Sequence, residues 1–224
     1  MFERNINLIG KEKFNLLQNK KILIIGLGGV GGYALETLAR SGILNIDIID
    51  FDKIDITNLN RQIITNQNNI NAYKVEEAKV RALSINPNIK INTFKTFLDK
   101  NNIDDILSNN YDYVIDACDS IETKIELILK RDIYKYKLIS SMGTAKKIDP
   151  TKLTITTLEK TSYDPLAKVI RKKLRELKYN KKVLVVSSTE QVIESDNLGS
   201  FMMVPASAGI LLAKYVIQDI LENK

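Results

Sequence analysis

The chain has no histidine and a single cysteine, Cys118, among its 224 residues. The missing histidine excludes the commonest general base, every Ser-His or Cys-His pair and all imidazole ligands for metals. The lone cysteine excludes a disulfide within the chain and any zinc site built from paired cysteines. Chemistry in this protein must therefore rest on carboxylates, lysines, arginines, hydroxyls and backbone amides.

The sequence also has little that points to export or to a membrane. The N-terminus lacks a charged segment followed by an apolar stretch, which a secretory signal requires. Residues 201–213 are apolar, but Pro205 interrupts this run, and it falls short of the about 18 uninterrupted apolar residues of a membrane span. We therefore expect a cytoplasmic protein without stable membrane insertion, and a buried helix that begins near Pro205.

Apolar runs of strand length alternate with longer segments of helical period through the first 150 residues. The predicted strands cover residues 22–25, 46–49, 89–94, 113–116 and 138–141, and the predicted helices cover residues 30–40, 73–83 and 120–134. This alternation predicts a doubly wound, mostly parallel α/β sheet of the Rossmann type. Because 44% of the residues are hydrophobic, we expect residues 1–224 to form one domain.

The alternation changes after residue 150. We predict strands over residues 153–158 and 183–186, helices over 165–177 and 205–221, and a polar loop over 187–200. These elements form a C-terminal strand and helix extension of the predicted sheet.

The first predicted strand runs into Gly26-Leu-Gly-Gly-Val-Gly31. This pattern fits the dinucleotide-binding fingerprint, in which glycines let backbone amides approach a phosphate and a helix N-terminus adds partial positive charge. NAD-binding and ATP-binding proteins share it, and a tight turn without a ligand can show it as well. The candidate phosphate-binding glycines are Gly26, Gly28, Gly29 and Gly31.

Charged and amide side chains follow the second predicted strand. Asp50 and Asp52 lie about 20 residues past the glycines, where an acid meets a ribose hydroxyl in such folds. A nicotinamide dehydrogenase stays open as an alternative function, but it leaves the segment 58–62 (Asn-Leu-Asn-Arg-Gln) unexplained. We expect Arg61 and Lys74 to bracket an extended triphosphate and to offset charge as a bond to phosphorus breaks.

The fourth predicted strand ends with two carboxylates, Asp116 and Asp119, at the ligand-binding edge of the expected sheet. One of them could hold Mg²⁺, which prefers carboxylate and phosphate oxygens. Any one of these charges is typical of a solvated loop residue. Their joint placement indicates a nucleotide site.

These residues resemble the ubiquitin-activating-like adenylating enzymes, and Phe2-Glu-Arg-Asn-Ile6 resembles the family's stretch whose arginine enters the partner subunit's ATP site. The resemblance implies ATP and Mg²⁺ as cofactors and a homodimer. It places Asp50 on the ribose and Asp119 on Mg²⁺. The implied catalytic residues are Arg4, Arg61, Lys74 and Asp119, and the implied cofactor-binding residues are Gly26, Gly28, Gly29, Gly31, Asp50, Asp52, Asn58, Arg61 and Lys74.

Residues 140–143, 149–150, 160–175 and 199–206 resemble one branch of that family, the tRNA threonylcarbamoyladenosine dehydratases. In that branch ATP activates the carboxylate of the threonylcarbamoyl group on tRNA, and the adenylate closes into a ring with release of AMP. Ring closure of this kind needs no enzyme thiol. The resemblance implies that residues 150–224 contribute substrate-binding elements.

Two other functions are weighed against this one. Relatives that activate the C-terminal carboxylate of a ubiquitin-like sulfur-carrier protein typically hold zinc with two cysteine pairs, which this chain lacks; we interpret Cys118 as a small buried hydrophobe. An inactive subunit would not need Arg4, Arg61, Lys74 and Asp119 together. The sequence leaves open whether a sulfur-transfer partner protein is needed.

Basic residues concentrate in one segment. Residues 165–182 contain eight lysines and arginines against one acid, Glu176, whereas the whole chain has a net charge of +6. Leu166, Ile170, Leu174 and Leu177 recur at helical spacing and predict a buried face. A charge run is ordinarily a solvated helix face, but together with the resemblance it favours a surface for RNA backbone. The candidate tRNA-binding residues are Lys168, Arg171, Lys172, Lys173, Arg175 and Lys178.

Overall fold

A computed structural model describes residues 1–222 and places seven strands in one sheet; residues 223–224 of the expected domain lie outside the described part. The strands are β1 (Lys21–Ile25), β2 (Asn45–Ile49), β3 (Lys90–Phe94), β4 (Tyr113–Asp116), β5 (Lys137–Ser141), β6 (Leu153–Thr157) and β7 (Leu184–Ser188). Their order is β3-β2-β1-β4-β5-β7-β6, parallel except for the antiparallel pair of β6 and β7. The predicted mostly parallel sheet is confirmed.

Helices cover both faces of this sheet. They are α1 (Glu3–Ile9), α2 (Lys11–Gln18), α3 (Gly31–Arg40), α4 (Lys74–Ile85), α5 (Ile103–Leu107), α6 (Ile121–Tyr134), α7 (Pro165–Glu176) and α8 (Met203–Glu222). One apolar layer joins α2, α3, α4 and α8 to the sheet, and the other joins α5, α6 and α7 to its opposite face. The strand order reverses between β1 and β4, so their carboxyl ends open a crevice of the kind that binds ligands in α/β folds.

Three helices and parts of the C-terminal extension were not predicted. Helix α1 has no buried residue, and α5 has only five residues, so neither has a long apolar period. Ser187 and Ser188 were expected in a loop but continue β7, where they are buried and pair with β6. The prediction of a buried Leu177 was wrong, because this residue follows the end of α7 and is 55% exposed.

Helix α8 is the buried C-terminal helix that the sequence predicts, although it begins at Met203. It is long and apolar enough to cross a membrane by length and composition, and half of its most apolar window is buried. Ala208, Leu212 and Val216 belong to the core. At Gly209 a Cβ atom would lie only 2.9 Å from Cβ of Tyr33, so the absence of a side chain lets α8 approach α3 closely. This packing is typical of a core helix.

The turn between β1 and α3 has no room for side chains. Gly26 has a φ of +85°, and a Cβ there would lie 2.8 Å from the carbonyl oxygen of Ala117. A Cβ on Gly31 would overlap the carbonyl oxygen of Gly26. These two glycines are therefore required by the turn itself, whatever ligand it holds.

We expect Gly31→Ala to destabilise the protein by about 3 kcal/mol or more, because the added methyl group overlaps fixed backbone. Urea denaturation would measure the free energy of unfolding. Gly199→Ala is the matched control: a Cβ there has no neighbour within 4 Å, so a change below about 0.5 kcal/mol is expected. Equal stability of the two variants would contradict the close packing of the turn.

Candidate functional site

Two adjoining cavities open at the carboxyl ends of the parallel strands. The inner cavity, of about 430 Å³, is lined by the glycine turn and by the ends of β2 and β4. The outer cavity, of about 910 Å³, is lined by residues 144–148 and by parts of the loop before α8. Gly29, Arg61 and Asp119 line both cavities. A ligand that fills the inner cavity would therefore meet a second ligand at these three residues.

The inner cavity brings together most residues that the sequence assigns to a nucleotide. They are Gly26, Gly28, Gly29, Asp50, Asp52, Asn58, Arg61, Lys74 and Asp119. Gly31 does not line the cavity and instead begins α3 beneath it. Arg4 is exposed on α1 and lines neither cavity. Within one chain, the structure thus brings the predicted residues together except for Gly31 and Arg4.

The Asp50 carboxylate ties the glycine turn to the end of β2. Its Oδ2 accepts a hydrogen bond from the backbone nitrogen of Leu27 at 2.6 Å, and its Oδ1 accepts one from the nitrogen of Asp52 at 2.8 Å. Burial raises the pKa of Asp50, while the nearby charge of Lys74 opposes that shift. Each carboxylate oxygen has a second lone pair, which a ribose hydroxyl could use.

Lys74 lines the inner cavity as a buried charge and has one ion-pair partner among residues 1–222. Its Nζ lies 2.6 Å from Oδ2 of Asp52, whose side chain is 44% exposed. Asn58 is also partly committed, since its Oδ1 accepts a hydrogen bond from the nitrogen of Asp55, which leaves the side-chain amide nitrogen for a ligand. A phosphate in this cavity would therefore share Lys74 with Asp52.

Arg61 lies at the junction of the two cavities and is held from one side. Its Nη1 donates to the carbonyl oxygen of Thr57 at 2.8 Å and to Oδ1 of Asn60 at 2.9 Å. Its Nε and Nη2 have no hydrogen-bond partner among residues 1–222. The guanidinium is thus fixed in place with two nitrogens left to contact an anion.

The two carboxylates after β4 have different environments. Asp116 is buried and pairs with the buried Lys124 at 2.9 Å, and it also accepts a hydrogen bond from Ser140. Asp119 is exposed, and its carboxylate has no hydrogen bond or ion pair with any described residue. Of the two, Asp119 is therefore the one that can contact a cation at the junction.

The described residues contain no group of three or more acidic, cysteine or histidine side chains that could hold a metal. This donor set nevertheless fits Mg²⁺, which commonly takes one or two carboxylates and completes its shell with waters and phosphate oxygens. Asp119 can supply the carboxylate, and a nucleotide in the inner cavity would supply the phosphates.

Cys118 also lines the inner cavity, but its thiol is unsuited to act as a nucleophile. Its Sγ lies 3.1 Å from Oδ1 of Asp116, to which it donates a hydrogen bond. Burial, followed by the charge of Asp116, raises the pKa of Cys118 far above its usual range. Since the thiolate is the nucleophilic form, this environment suits the interpretation of Cys118 as a packing residue.

Sequence reasoning missed the wall of the outer cavity that contains Lys147. This side chain is 2% exposed, and its Nζ lies 4.0 Å from Oδ2 of Asp164. Burial lowers the pKa of Lys147, and the charges of Asp164 and Glu190 oppose that shift. Asp164 also accepts a hydrogen bond from the backbone nitrogen of Gly143, and it caps the N-terminus of α7. In the sequence, only the position of Lys147 just past β5 could have indicated it.

The six candidate tRNA-binding residues lie on different sides of α7 and just beyond its end. Arg171 and Arg175 line a cavity beside residues 157–160, whereas Lys173 lines a different cavity with Asp99, Glu122 and Glu126. Lys168 and Lys172 are exposed on α7, and Lys178 is exposed just after it. The basic segment therefore divides into a cationic side and a side of mixed charge.

The model of the ThiF family matches residues 2–222 of this chain. The chain is 39% identical to the tRNA threonylcarbamoyladenosine dehydratase of Bacillus subtilis, over 99% of this chain and 95% of that protein. It superposes on the crystal structure of Escherichia coli tRNA N6-threonylcarbamoyladenosine dehydratase in complex with ATP with a TM-score of 0.94, at 33% identity, covering 99% of this chain and 93% of that one. It is also 34% identical to the molybdopterin-synthase adenylyltransferase of Haemophilus influenzae, over 75% of this chain and 67% of that protein.

We expect Asp116→Ala and Asp119→Ala to differ in stability although only three positions separate them. Loss of Asp116 leaves Lys124 as a buried unpaired charge, which should cost about 3 kcal/mol or more. Loss of the exposed Asp119 should change the free energy of unfolding by less than about 0.5 kcal/mol. Urea denaturation of the two variants tests this, and similar losses would contradict the assigned environments.

Proposed function

This chain belongs to the ThiF family, and we propose that it is an ATP-dependent tRNA threonylcarbamoyladenosine dehydratase. One observation carries the proposal. The inner cavity, which is lined by the residues expected to bind the nucleotide, adjoins the larger outer cavity at Gly29, Arg61 and Asp119. An α-phosphate at that junction would face a carboxylate substrate in the second cavity. Similarity over almost the full length of the Bacillus subtilis dehydratase supports the same substrate.

The proposed reaction has two steps. In the first, an oxygen of the threonylcarbamoyl carboxylate attacks the α-phosphorus of ATP, and pyrophosphate leaves. In the second, an atom of the carbamoyl group attacks the activated carbonyl carbon, the ring closes, one proton is lost and AMP leaves. The tRNA product is lighter than the substrate by one water. The second step is intramolecular, so the enzyme needs to orient the adenylate but does not need a thiol.

We assign roles according to position in the inner cavity. Asp50 would accept a hydrogen bond from a ribose hydroxyl. The turn around Gly28 and Gly29 would place backbone amides against phosphate. The charges of Arg61 and Lys74 would offset negative charge that moves to pyrophosphate as the bond breaks. Asp119 would hold Mg²⁺, whose charge would offset that of the phosphates. Residues 150–222 would contribute to the substrate cavity through the loop before α8.

We further propose a homodimer in which Arg4 completes the partner's site. Arg4 is exposed and lines neither cavity of its own protomer, and α1 leaves Leu8 84% exposed. Helix α1 buries no residue against its own chain, and Arg4 has no ion pair among residues 1–222, which leaves both available to a second subunit. An enzyme that acts on tRNA would be cytoplasmic.

The alternative function is adenylation of the C-terminal carboxylate of a ubiquitin-like sulfur-carrier protein. The similarity to a molybdopterin-synthase adenylyltransferase favours it, and the outer cavity could admit an extended chain end. The missing cysteine pairs and the raised pKa of Cys118 weigh against it. A sulfur-transfer partner protein belongs to this alternative, because the dehydration itself uses no sulfur.

Nucleoside mass spectrometry tests the proposed reaction directly. Incubation of threonylcarbamoyladenosine-containing tRNA with the protein and ATP should yield a nucleoside lighter by one water. Arg61→Ala and Asp119→Ala should each lower turnover by about 100-fold or more, since each removes charge stabilisation at the junction. Arg40→Ala, an exposed arginine on α3, is the control and should retain turnover. Absence of the lighter nucleoside with wild-type protein would reject the function.

Mixing two inactive variants tests the role of Arg4 across the dimer. Arg4→Ala and Asp119→Ala subunits, mixed equally and allowed to exchange, should recover about a quarter of wild-type activity. The reason is that about half the dimers are hybrids and each hybrid has one intact site. Exchange is confirmed with differently tagged subunits. No recovery in confirmed hybrids would show that Arg4 does not act in the partner's site.

A further inference from the structure

A third cavity, of about 580 Å³, lies beside α7 and shares no lining residue with the inner and outer cavities. We call it the basic cavity. Its volume is in the range of pockets that take small molecules. Its charged and aromatic lining consists of Lys160, Arg171, Arg175, Lys182, Glu159 and Tyr179. Four cationic groups thus surround this cavity against a single carboxylate.

The four cations are not neutralised by the protein. Lys160, Arg171, Arg175 and Lys182 have no carboxylate within 4 Å among residues 1–222, and that includes Glu159 in the same cavity. Two neighbouring lysines do have ion-pair partners. Lys181 lies 2.9 Å from Asp132, and Lys172 lies 3.9 Å from Glu176. Lys168, Lys173 and Lys178 have no ion pair among residues 1–222 either, so what distinguishes the basic cavity is that four such cations line one cavity.

Arg171 is fixed in its orientation before any ligand arrives. Its Nη1 donates to the carbonyl oxygens of Leu158 and Thr161, each at 3.1 Å, and to the hydroxyl of Thr161. One turn later, Nε of Arg175 donates to the carbonyl oxygen of Arg171 at 3.3 Å. Both guanidinium groups keep nitrogens without a protein partner in the described residues. Such oriented forks suit phosphate oxygens, which they can contact with two parallel hydrogen bonds.

Tyr179 adds a polar group that the protein leaves unused. Its hydroxyl is buried and has no hydrogen-bond partner among the described residues. Arg131 lies over its ring, 5.7 Å from the ring centre, and so helps to hold the ring in place. A buried hydroxyl without a partner costs free energy, which a ligand that displaced the atoms covering it and supplied a hydrogen-bonding group would recover. A simple anion surface does not require such a group.

We propose that the basic cavity binds one nucleotide of the tRNA substrate, with its phosphate on the four cations and its sugar or base against Tyr179. This proposal rests on the proposed function, because it takes tRNA as the substrate. Phosphate contacts fix the position of a nucleic acid without reading its sequence. Since the basic cavity is separate from the junction, it holds RNA away from the nucleoside that reacts. It acts on binding of tRNA and leaves the chemical steps unchanged.

The first test neutralises two lysines of the basic cavity in the double variant Lys160→Gln/Lys182→Gln. Titration of fluorescent tRNA at several salt concentrations measures affinity and its salt dependence. We expect about tenfold weaker binding at 150 mM salt, and a log–log salt slope smaller by about one, because the two lysines contact the same phosphate. The matched control is Lys90→Gln/Lys214→Gln, which removes two exposed lysines elsewhere. An equal effect in the control, or an undiminished slope in the first variant, overturns the proposal.

The second test uses Tyr179→Phe, which removes only the hydroxyl. If that hydroxyl contacts RNA, tRNA binds more weakly while the free energy of unfolding stays the same or rises, because an unsatisfied buried group is lost. A purely structural role would give lower stability and unchanged affinity. Unchanged tRNA affinity in Tyr179→Phe would replace the nucleotide site with a general polyanion surface.

Kinetics separate this proposal from the proposed function. With tRNA and ATP, Lys160→Gln/Lys182→Gln should raise KM for tRNA by about tenfold and leave kcat unchanged, as expected when ground state and transition state lose the same contact. Formation of the lighter nucleoside by wild-type protein tests the function alone. If wild-type protein forms this product and the variant keeps its KM, only the basic cavity assignment fails.

Discussion

The rest of the site depends on one constraint, the close packing of the glycine turn against the ends of β2 and β4 at the carboxyl edge of the sheet. The backbone nitrogen of Gly26 donates to the carbonyl oxygen of Ile49, and that of Ala117 donates to the oxygen of Ile25. The carboxylate of Asp50 accepts a hydrogen bond from the backbone nitrogen of Leu27. The ends of β1, β2 and β4 are thereby fixed to one another through main-chain groups. A phosphate reaching this turn meets amides that are already oriented, so little free energy is spent on ordering them.

Lysine and carboxylate pairs organise the charged parts of a chain that lacks histidine. Lys124 with Asp116 lies beneath the inner cavity, Lys74 with Asp52 forms its wall, and Lys147 with Asp164 lies beside the outer cavity. Burying such pairs is expensive, and they need further hydrogen bonds to be tolerated. Lys124 has them, because it also donates to the carbonyl oxygen of Ser141 at 2.9 Å. Arg61 and Asp119, which lie at the junction, have no ion pair with each other or with any other described residue, and so can contact substrate.

The sequence was sufficient for the sheet and for the residues at its carboxyl edge. Buried parallel strands read as continuous apolar runs, so β4 was predicted at its observed bounds. Parallel order then brings Asp50, Arg61 and Asp119 to one edge, although they are far apart in sequence. Contacts that form only through tertiary packing were not predictable. The pairing of Asp116 with Lys124 and the anchoring of Arg171 by residues 158–161 depend on how α6 and α7 pack. The separation of Lys173 from Arg171, by contrast, follows from their spacing of two residues on one helix and could have been predicted.

Asp164 links the start of α7 to the segment that follows β5. One of its oxygens accepts a hydrogen bond from the backbone nitrogen of Ala167 in the first turn of α7. The other accepts one from the nitrogen of Gly143 after β5, and both bonds are 2.9 Å long. The start of α7 and the segment after β5 that leads to the outer cavity therefore donate hydrogen bonds to the same carboxylate. Because Met142 and Ala167 also belong to the same apolar layer, a displacement of α7 would carry Gly143, and with it the segment that leads to the outer cavity, in the same direction.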